Sequence, residues 1–433
     1  MKKIALISHG CAKNLVDSEL MLGLLAQNGY EITLDETETD IVIVNTCAFI
    51  NDAERESIHS ILEMVNENKK IIVTGCLAQK YKEELKKEIP EIVGMIGPTD
   101  IEKLIDVLKN IDNGYAAEVA ENPEYFYPET IERQQITVGA SSYIKIAEGC
   151  NYRCGYCIIP SLRGDYHSRK IENIVDEAKT LVQKGVTEII LIAQDTTSYG
   201  IDLYGKPRLK DLLIELNKIE GLGWIRIMYA FPTHMDDELL DTIGKLDKVV
   251  KYVDIPLQHS NIEMLKSMNR PAFDYRKLIA NIRKRVPNVA IRTSFIVGYP
   301  AETEEQFEEL YDFVKEMRFN KMGVFTYSRE KGTPSYKLKP LVPKRTMNIR
   351  QKKLMKLQQE ISYQVNQDFI GKTLDCIIEG YTEDGMIIAR TQYDAPEVDG
   401  LVYIKSDEVV VPGDIEKVKI IDCNEYDLFG ELE

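Results

Sequence analysis

Short β-branched runs alternate with amphipathic stretches through most of this chain, and that alternation confines it to an α/β architecture with parallel strands. The first such runs are Lys3–Ser8, Asp40–Asn45, Lys70–Thr74 and Ile92–Ile96, with helical patterns at Asn14–Asn28, Asp52–Asn66, Gln79–Glu88 and Thr99–Leu108. They predict a doubly wound parallel sheet over residues 1–115. A polar stretch with Gly114, Pro123 and Pro128 follows and reads as a linker over 116–136. Alternation resumes at Tyr143–Ala147, Glu188–Ala193, Trp224–Tyr229, Tyr252–Ile255, Ala290–Val297 and Gly323–Tyr327. Six βα units over 137–366 predict a closed or partly closed (β/α) barrel. A charged amphipathic helix, Arg345–Phe369, ends that region, and five short strands with Gly and Asp turns fill 367–433. They predict a small antiparallel β-barrel.

Composition decides what kind of chain carries this pattern. With 433 residues, 44% apolar and 29% charged, it is an ordinary globular protein, which excludes disorder, collagen and small disulfide scaffolds. No apolar run reaches the ~18 residues that span a bilayer. The apolar run at the start stops at Ser8-His9-Gly10, so it reads as a strand rather than a signal peptide. A cytoplasmic protein is expected, where disulfides are rare, and its eight cysteines therefore need another explanation.

Cys150, Cys154 and Cys157 form a CxxxCxxC run directly after the first barrel strand, on the rim where barrel enzymes keep their chemistry. Three thiolates in one loop can hold three corners of a four-iron cluster and leave one iron open to a substrate. A structural zinc is the alternative content; it needs a fourth ligand, for which His167 is the local candidate. Cys11, Cys47 and Cys76 are scattered in sequence, yet each falls just past the C-terminal end of a predicted strand. In an open parallel sheet those ends form the ligand crevice, so the three can converge on a second cluster. Simple core cysteines would lie inside strands or on helix faces, as expected for Cys376 and Cys423 in the small barrel.

The CxxxCxxC run, with Tyr156 before its last cysteine and a βα barrel behind it, resembles the radical S-adenosylmethionine (SAM) superfamily. The resemblance implies that the open iron binds the amino and carboxylate groups of SAM and that one electron cleaves SAM to a 5′-deoxyadenosyl radical. The whole chain resembles the methylthiotransferases, whose C-terminal barrel is a substrate-binding TRAM domain. Segments Tyr143–Cys150, Asp254–His259 and Thr293–Thr303, with Gly298 and Glu302, carry the match further. The resemblance implies two 4Fe-4S clusters, on Cys11, Cys47 and Cys76 and on Cys150, Cys154 and Cys157. It implies radical insertion of sulfur into an unactivated C–H bond, then methylation from a second SAM. Candidate SAM contacts are Tyr156, Gln194, Gln258, Thr293 and Gly298, chosen by their positions near strand ends or in the cysteine loop.

Some members of that family act on a tRNA adenosine, and one branch acts on the β-carbon of an aspartate in small-subunit ribosomal protein number twelve. The segment Arg390–Gly400 resembles the protein-modifying branch. Charge points the same way: residues 366–433 carry 17 acidic and 5 basic side chains, a net of -12 within a chain of net -16. RNA binding leans on basic groups, whereas an acidic barrel attracts a basic ribosomal protein. An acidic surface that serves solubility alone is the bland alternative. Expected partners are that ribosomal protein, free or in the small subunit, an electron donor and a sulfur source; a monomer without membrane attachment is expected. The tRNA substrate remains an alternative, as does a non-enzymatic iron–sulfur or redox adaptor that docks on ribosomes. Against the adaptor, electron carriers close their clusters with four protein ligands.

Three further features have plain readings. Lys344, Arg345, Arg350, Lys352, Lys353 and Lys356 fit a solvated helix face, and Tyr125-Phe126-Tyr127 fits packing between domains. His9 and His259 lie near strand ends, close to the expected site, whereas His59 sits in a helical pattern. No Walker loop or GxGxxG follows a strand, so nucleotide hydrolysis and dinucleotide binding have no support.

Overall fold

The computed structural model describes residues 3–33, 35, 38–39, 41–48, 51–125, 127–136 and 139–433. Asp40, Phe126 and Thr137, which figure in the expectations above, lie outside the described residues. The chain divides into two compact units. The first comprises residues 1–138, 147–153 and 157–169; the second comprises 139–146, 154–156 and 170–433.

In the first unit, β1 (Lys3–Ser8), β2 (Glu31–Thr33), β3 (Ile41–Thr46), β4 (Lys70–Gly75), β5 (Ile92–Ile96) and β6 (Ala116–Glu118) form one sheet. Their order is β2-β1-β3-β4-β5-β6, with every pair parallel. All six residues of β3 are buried, as a central strand covered on both faces requires. Val42, Val44, Ile71, Val73 and Met95 form the core with Ile61 and Leu77 from the helices. Each such side chain contributes about 1.5–3 kcal/mol of burial. Strands β2 and β6 escape a periodicity search because they are three residues long and largely half-buried. The stretch read as a linker lies within this unit. There β6 extends the sheet, and buried Arg133 pairs with Glu19 of the helix Ala12–Gln27 at 3.1 Å.

In the second unit, β7 (Ser141–Lys145) begins the barrel. Two-residue strands β8 (Ala147–Glu148) and β9 (His167–Ser168) pair antiparallel in the first unit. Then come β10 (Glu188–Ile192), β11 (Trp224–Ile227), β12 (Tyr252–Asp254), β13 (Ala290–Val297) and β14 (Lys321–Thr326). They form two parallel three-stranded sheets, β11-β10-β7 and β12-β13-β14. The Ala230 N–H donates to the Asp254 carbonyl at 2.8 Å and links the two. The six strands make a partial barrel, with β7 and β14 as its outer strands among the described residues.

The helix Lys344–Gln367 leads to β15 (Thr373–Tyr381), β16 (Ile387–Thr391), β17 (Val402–Ile404), β18 (Ile415–Cys423) and β19 (Leu428–Leu432). These close a barrel in the order β15-β16-β17-β19-β18, antiparallel except for β17 and β19. Cys376 and Cys423 lie in its apolar core, where burial pushes both thiols up. Arg390, fully buried, binds Glu188 at the start of β10, Ser141 at the start of β7, and Glu379. Tyr252 donates to Asp399 at 2.6 Å, and Lys321 pairs with Asp394. The segment Arg390–Gly400 therefore anchors the small barrel to the N-terminal ends of the partial-barrel strands.

Candidate functional site

Parallel pairing brings the three scattered cysteines together. Strands β1, β3 and β4 are adjacent, and Ser8 pairs with Asn45, Asn45 with Thr74 and Thr46 with Gly75. Cys11, Cys47 and Cys76 follow those paired ends, on strands spaced about 4.8 Å apart. The chain reverses its winding between β1 and β3, where open sheets bind ligands. Gly10 has φ +97, and a Cβ there would come within 2.7 Å of the Cys47 Cβ and 3.0 Å of its sulfur. Only a glycine lets the two turns approach so closely. Thr46 braces the neighbouring turn: its hydroxyl binds the Thr74 carbonyl and accepts from the Leu77 N–H at 3.2 Å.

A buried arginine lies beside these thiols. Arg163 ends the helix Ile159–Arg163, which directly follows the CxxxCxxC run. Its guanidinium donates to Asp17 at 3.0 Å, Glu148 at 2.8 Å and Asn14 at 2.5 Å, all within the first unit. Asn14 in turn donates to the carbonyls of His9 and Thr46, at 2.9 and 3.0 Å. The Cys11 thiol keeps solvent access, though its surroundings desolvate the thiolate. Lys13 and Arg163 outweigh that cost and hold its pKa below the ordinary value. At Cys76 burial wins and pushes the thiol up, although Arg163 opposes it. His9 bonds Ser60 at 2.9 Å.

The CxxxCxxC loop is held at both ends and in its middle. Gly149 has φ +78 and Gly164 φ +76, and the Cys150 N–H donates to the Gly164 carbonyl at 3.1 Å. In the second unit, the Gly155 N–H donates to the Met268 carbonyl and its carbonyl accepts from Ser335, both at 2.8 Å. Arg270, buried over the Phe231 ring, points Nη1 at the Cys154 sulfur at 4.0 Å. Tyr156 packs against Met264, Met268, Tyr299 and Tyr327.

The remaining candidates differ in what their polar groups already do. Gln258 takes a left-handed φ of +72, and its backbone bonds to Ser294 and Ile296 of β13 while its side chain stays half-buried. Gln194 lies just past β10, also half-buried. Thr293 lies inside β13, where its hydroxyl donates to the Ile255 carbonyl at 2.9 Å and accepts from Leu257 at 3.3 Å. Gly298 has φ +77, and any Cβ there would collide with Met347; its N–H donates to Glu302 at 2.6 Å. Glu302 also binds His259 at 3.2 Å and Arg350 at 2.5 Å. His259 accepts from the Ser260 and Asn261 N–H groups at Nδ1, so its Nε2 is the donor to Glu302.

Arg350 is thus a buried partner of Glu302, not part of a solvated basic face. His59 is exposed and pairs with Glu63 at 3.2 Å. Sequence reading passed over Arg163, Glu148 and Arg270, because single charges carry no spacing signal. Their nearness in sequence to the cysteine loop was the clue for the first two.

The six cysteines form no disulfide, and the three at the sheet tips are a soft donor set suited to an iron–sulfur cluster. Among the described residues, no three His, Cys, Asp or Glu side chains gather closely enough to hold a single metal ion.

Residues 144–314 match the radical SAM superfamily and residues 370–432 a TRAM domain, while residues 3–97 match the uncharacterized protein family UPF0004. Fold and matches together define a radical SAM enzyme with a TRAM barrel; the superfamily implies a 4Fe-4S cluster and SAM. The chain is 49% identical over 437 residues to the ribosomal protein uS12 methylthiotransferase RimO of Thermoanaerobacter sp. (strain X514), covering all of both chains. It is 46% identical to that of Lachnoclostridium phytofermentans, again covering all of both, and 45% to that of Clostridioides difficile, covering 100% and 99%. The chain belongs to this family, the uS12 methylthiotransferases RimO. The radical SAM methyltransferase TsrM from Kitasatospora setae shares the fold with TM-score 0.57 at 16% identity, covering 77% of this chain and 74% of its own. The cobalamin-dependent radical enzyme OxsB does so with TM-score 0.51 at 12% identity, covering 83% and 56%.

Proposed function

We propose that this enzyme methylthiolates ribosomal protein uS12, placing sulfur on the β-carbon of an aspartate and then methylating it. The observation that carries the reading is full-length identity of 49% to a uS12 methylthiotransferase. Cys150, Cys154 and Cys157 would hold one 4Fe-4S cluster, and Cys11, Cys47 and Cys76 a second. When bound, the first would supply the electron that cleaves SAM, and the second would present the sulfur to be inserted.

The chain's own residues bind and orient. The pins on Gly149, Gly155 and Gly164 fix the loop that carries three thiolates, and Arg270 offsets the charge at Cys154. Gln258, turned by its left-handed backbone, and Gln194 and Tyr156 would offer amide and hydroxyl groups to SAM. Thr293 and Gly298 would act beneath them, holding the loops after β12 and β13 through Ile255, Leu257 and Glu302. No side-chain base is assigned, because an unactivated β-carbon proton is beyond the reach of one; hydrogen abstraction replaces it.

A basic protein as substrate is supported by the acidic barrel. Glu379, Asp394 and Asp399 are spent on internal pairs with Arg390, Lys321 and Arg292, whereas Asp407, Glu408 and Asp414 are exposed. An electron donor and a sulfur source would come from outside the chain, which would act as a monomer in the cytoplasm, where ribosomes are made. The test is anaerobic reconstitution, then mass spectrometry of uS12, free and in small subunits, and of tRNA side by side. A methylthio group on uS12 supports the reading; one on tRNA adenosine alone overturns the substrate and leaves the chemistry standing.

A further inference from the structure

We infer that Arg163 sets the reduction potential of the cluster carried by Cys11, Cys47 and Cys76, and does so as a positioning residue held by Asp17, Glu148 and Asn14. The inference rests on the two-cluster reading above. Its basis is placement. Arg163 is 1% exposed, and the side chains of its partners Asp17 and Glu148 are 4% and 0% exposed. Asn14, the third partner, grips the backbone just before Cys47 and two residues before Cys11. The guanidinium is therefore one hydrogen-bonded residue away from two of the cysteine-bearing tips. The helix it terminates packs on the helix Cys76–Lys80, which begins with the third cysteine. Ile158 and Leu162 beside it share the apolar core with Cys76 and Leu77.

Burying a guanidinium costs several kcal/mol of hydration, and two carboxylates already outnumber it. A cluster ligated by three thiolates is anionic and gains a further negative charge when it takes one electron. In a buried setting of low dielectric, a fixed neighbouring cation favours the reduced state. Glu148 and Asp17 act in the opposite sense, so Arg163 and its partners form a local balance of charge. Because Glu148 precedes Cys150 by two residues and Arg163 follows Cys157 by six, that balance is built from the segment carrying the other cysteine set.

The test uses the full-length chain with Cys150, Cys154 and Cys157 changed to Ala, so that one cluster reports. Dithionite titration is followed by electron paramagnetic resonance, with iron measured on each sample. Arg163→Met should lower the reduction equilibrium constant at least tenfold, equivalent to 59 mV more negative for one electron. Glu148→Gln should shift it the opposite way, and Arg163→Lys should stay within about threefold of the parent, since it keeps the charge. A purely structural role would not give shifts of opposite sign. An unchanged potential in Arg163→Met with iron retained overturns the inference. If Arg163→Met loses its iron, Glu148→Gln decides, and no upward shift there overturns it equally. A parent that holds no iron overturns the two-cluster reading itself, and the inference with it.

Discussion

Arg163 in the first unit and Arg390 in the second each bury a guanidinium against two carboxylates and one neutral polar group. Both are desolvated, and removal of either would weaken the pairing of a buried carboxylate, Glu148 or Glu188. Their settings differ. Arg163 reaches the tips that carry Cys11 and Cys47 through Asn14, whereas Arg390 ties the small barrel to the starts of partial-barrel strands. A buried ion network is therefore no mark of a reactive site; a donor set beside it is. The segment Arg390–Gly400, which resembles the protein-modifying branch, works in this structure as an anchor and leaves Glu397 and Val398 exposed at its turn.

The strongest test of that distinction is removal of the thiols. Changing Cys150, Cys154 and Cys157 together to Ala should abolish 5′-deoxyadenosine formation and reduce iron from about eight to about four atoms per chain. Cys47→Ala should keep SAM cleavage and yield no methylthiolated uS12. Chromatography, iron assay and mass spectrometry read these outcomes. Full iron in the triple variant, or one zinc in its place, would break the comparison at its root.

Next in size is the anchor. Arg390→Met should destabilise the fold by about 3–5 kcal/mol, seen as a lower unfolding midpoint, because Glu188 and Glu379 lose a buried partner. Iron content should hold, and the cluster potential should not move, whereas Arg163→Met shifts that potential.

Acid should find the same weak point. Full burial opposes ionisation of Glu188, yet Arg226 and Arg390 overcome it and lower its pKa from 4.5 to about 2. A depressed pKa stabilises the fold above the unfolded value, and that contribution fades as pH falls from about 4.5 toward 2. It amounts to roughly 3 kcal/mol at neutral pH. Glu188→Gln should flatten this part of the stability–pH curve; an unchanged curve would show that Glu188 does not carry it.

The smallest effect belongs to the exposed acids. Neutralising Asp407, Glu408 and Asp414 should slow modification of uS12 severalfold at low salt by weakening attraction over a screening length of about 8 Å at physiological ionic strength. Uncoupled SAM cleavage should stay the same. Equal loss at high and low salt would point to a specific contact instead of long-range charge.

Much of the architecture was legible because periodicity is a local property. All six partial-barrel strands stand where β-branched runs put them, within a few residues, and the C-terminal region holds the five strands its turn pattern implied. Strands β2 and β6 were not legible: three half-buried residues carry too little pattern, and their pairing partners are distant in sequence. The cysteine positions were legible for a similar reason, since each follows a recognisable strand. Arg350 was misread as solvated, because a basic residue in a charged helix gives no local sign that Glu302 waits across the fold.

By itself, then, the sequence determined most of the elements and that two sets of three cysteines lie at strand ends, because hydrophobic period and residue type act over a few neighbours. Only the tertiary structure decided that β1, β3 and β4 are adjacent and that Gly10 packs directly against Cys47. It alone also decided that Arg163 is buried among the first set and that the Arg390 segment is an anchor. Strand order and ion pairing join residues up to 202 positions apart, as in Arg390 and Glu188. Such choices depend on which faces are buried together, and no local pattern records that.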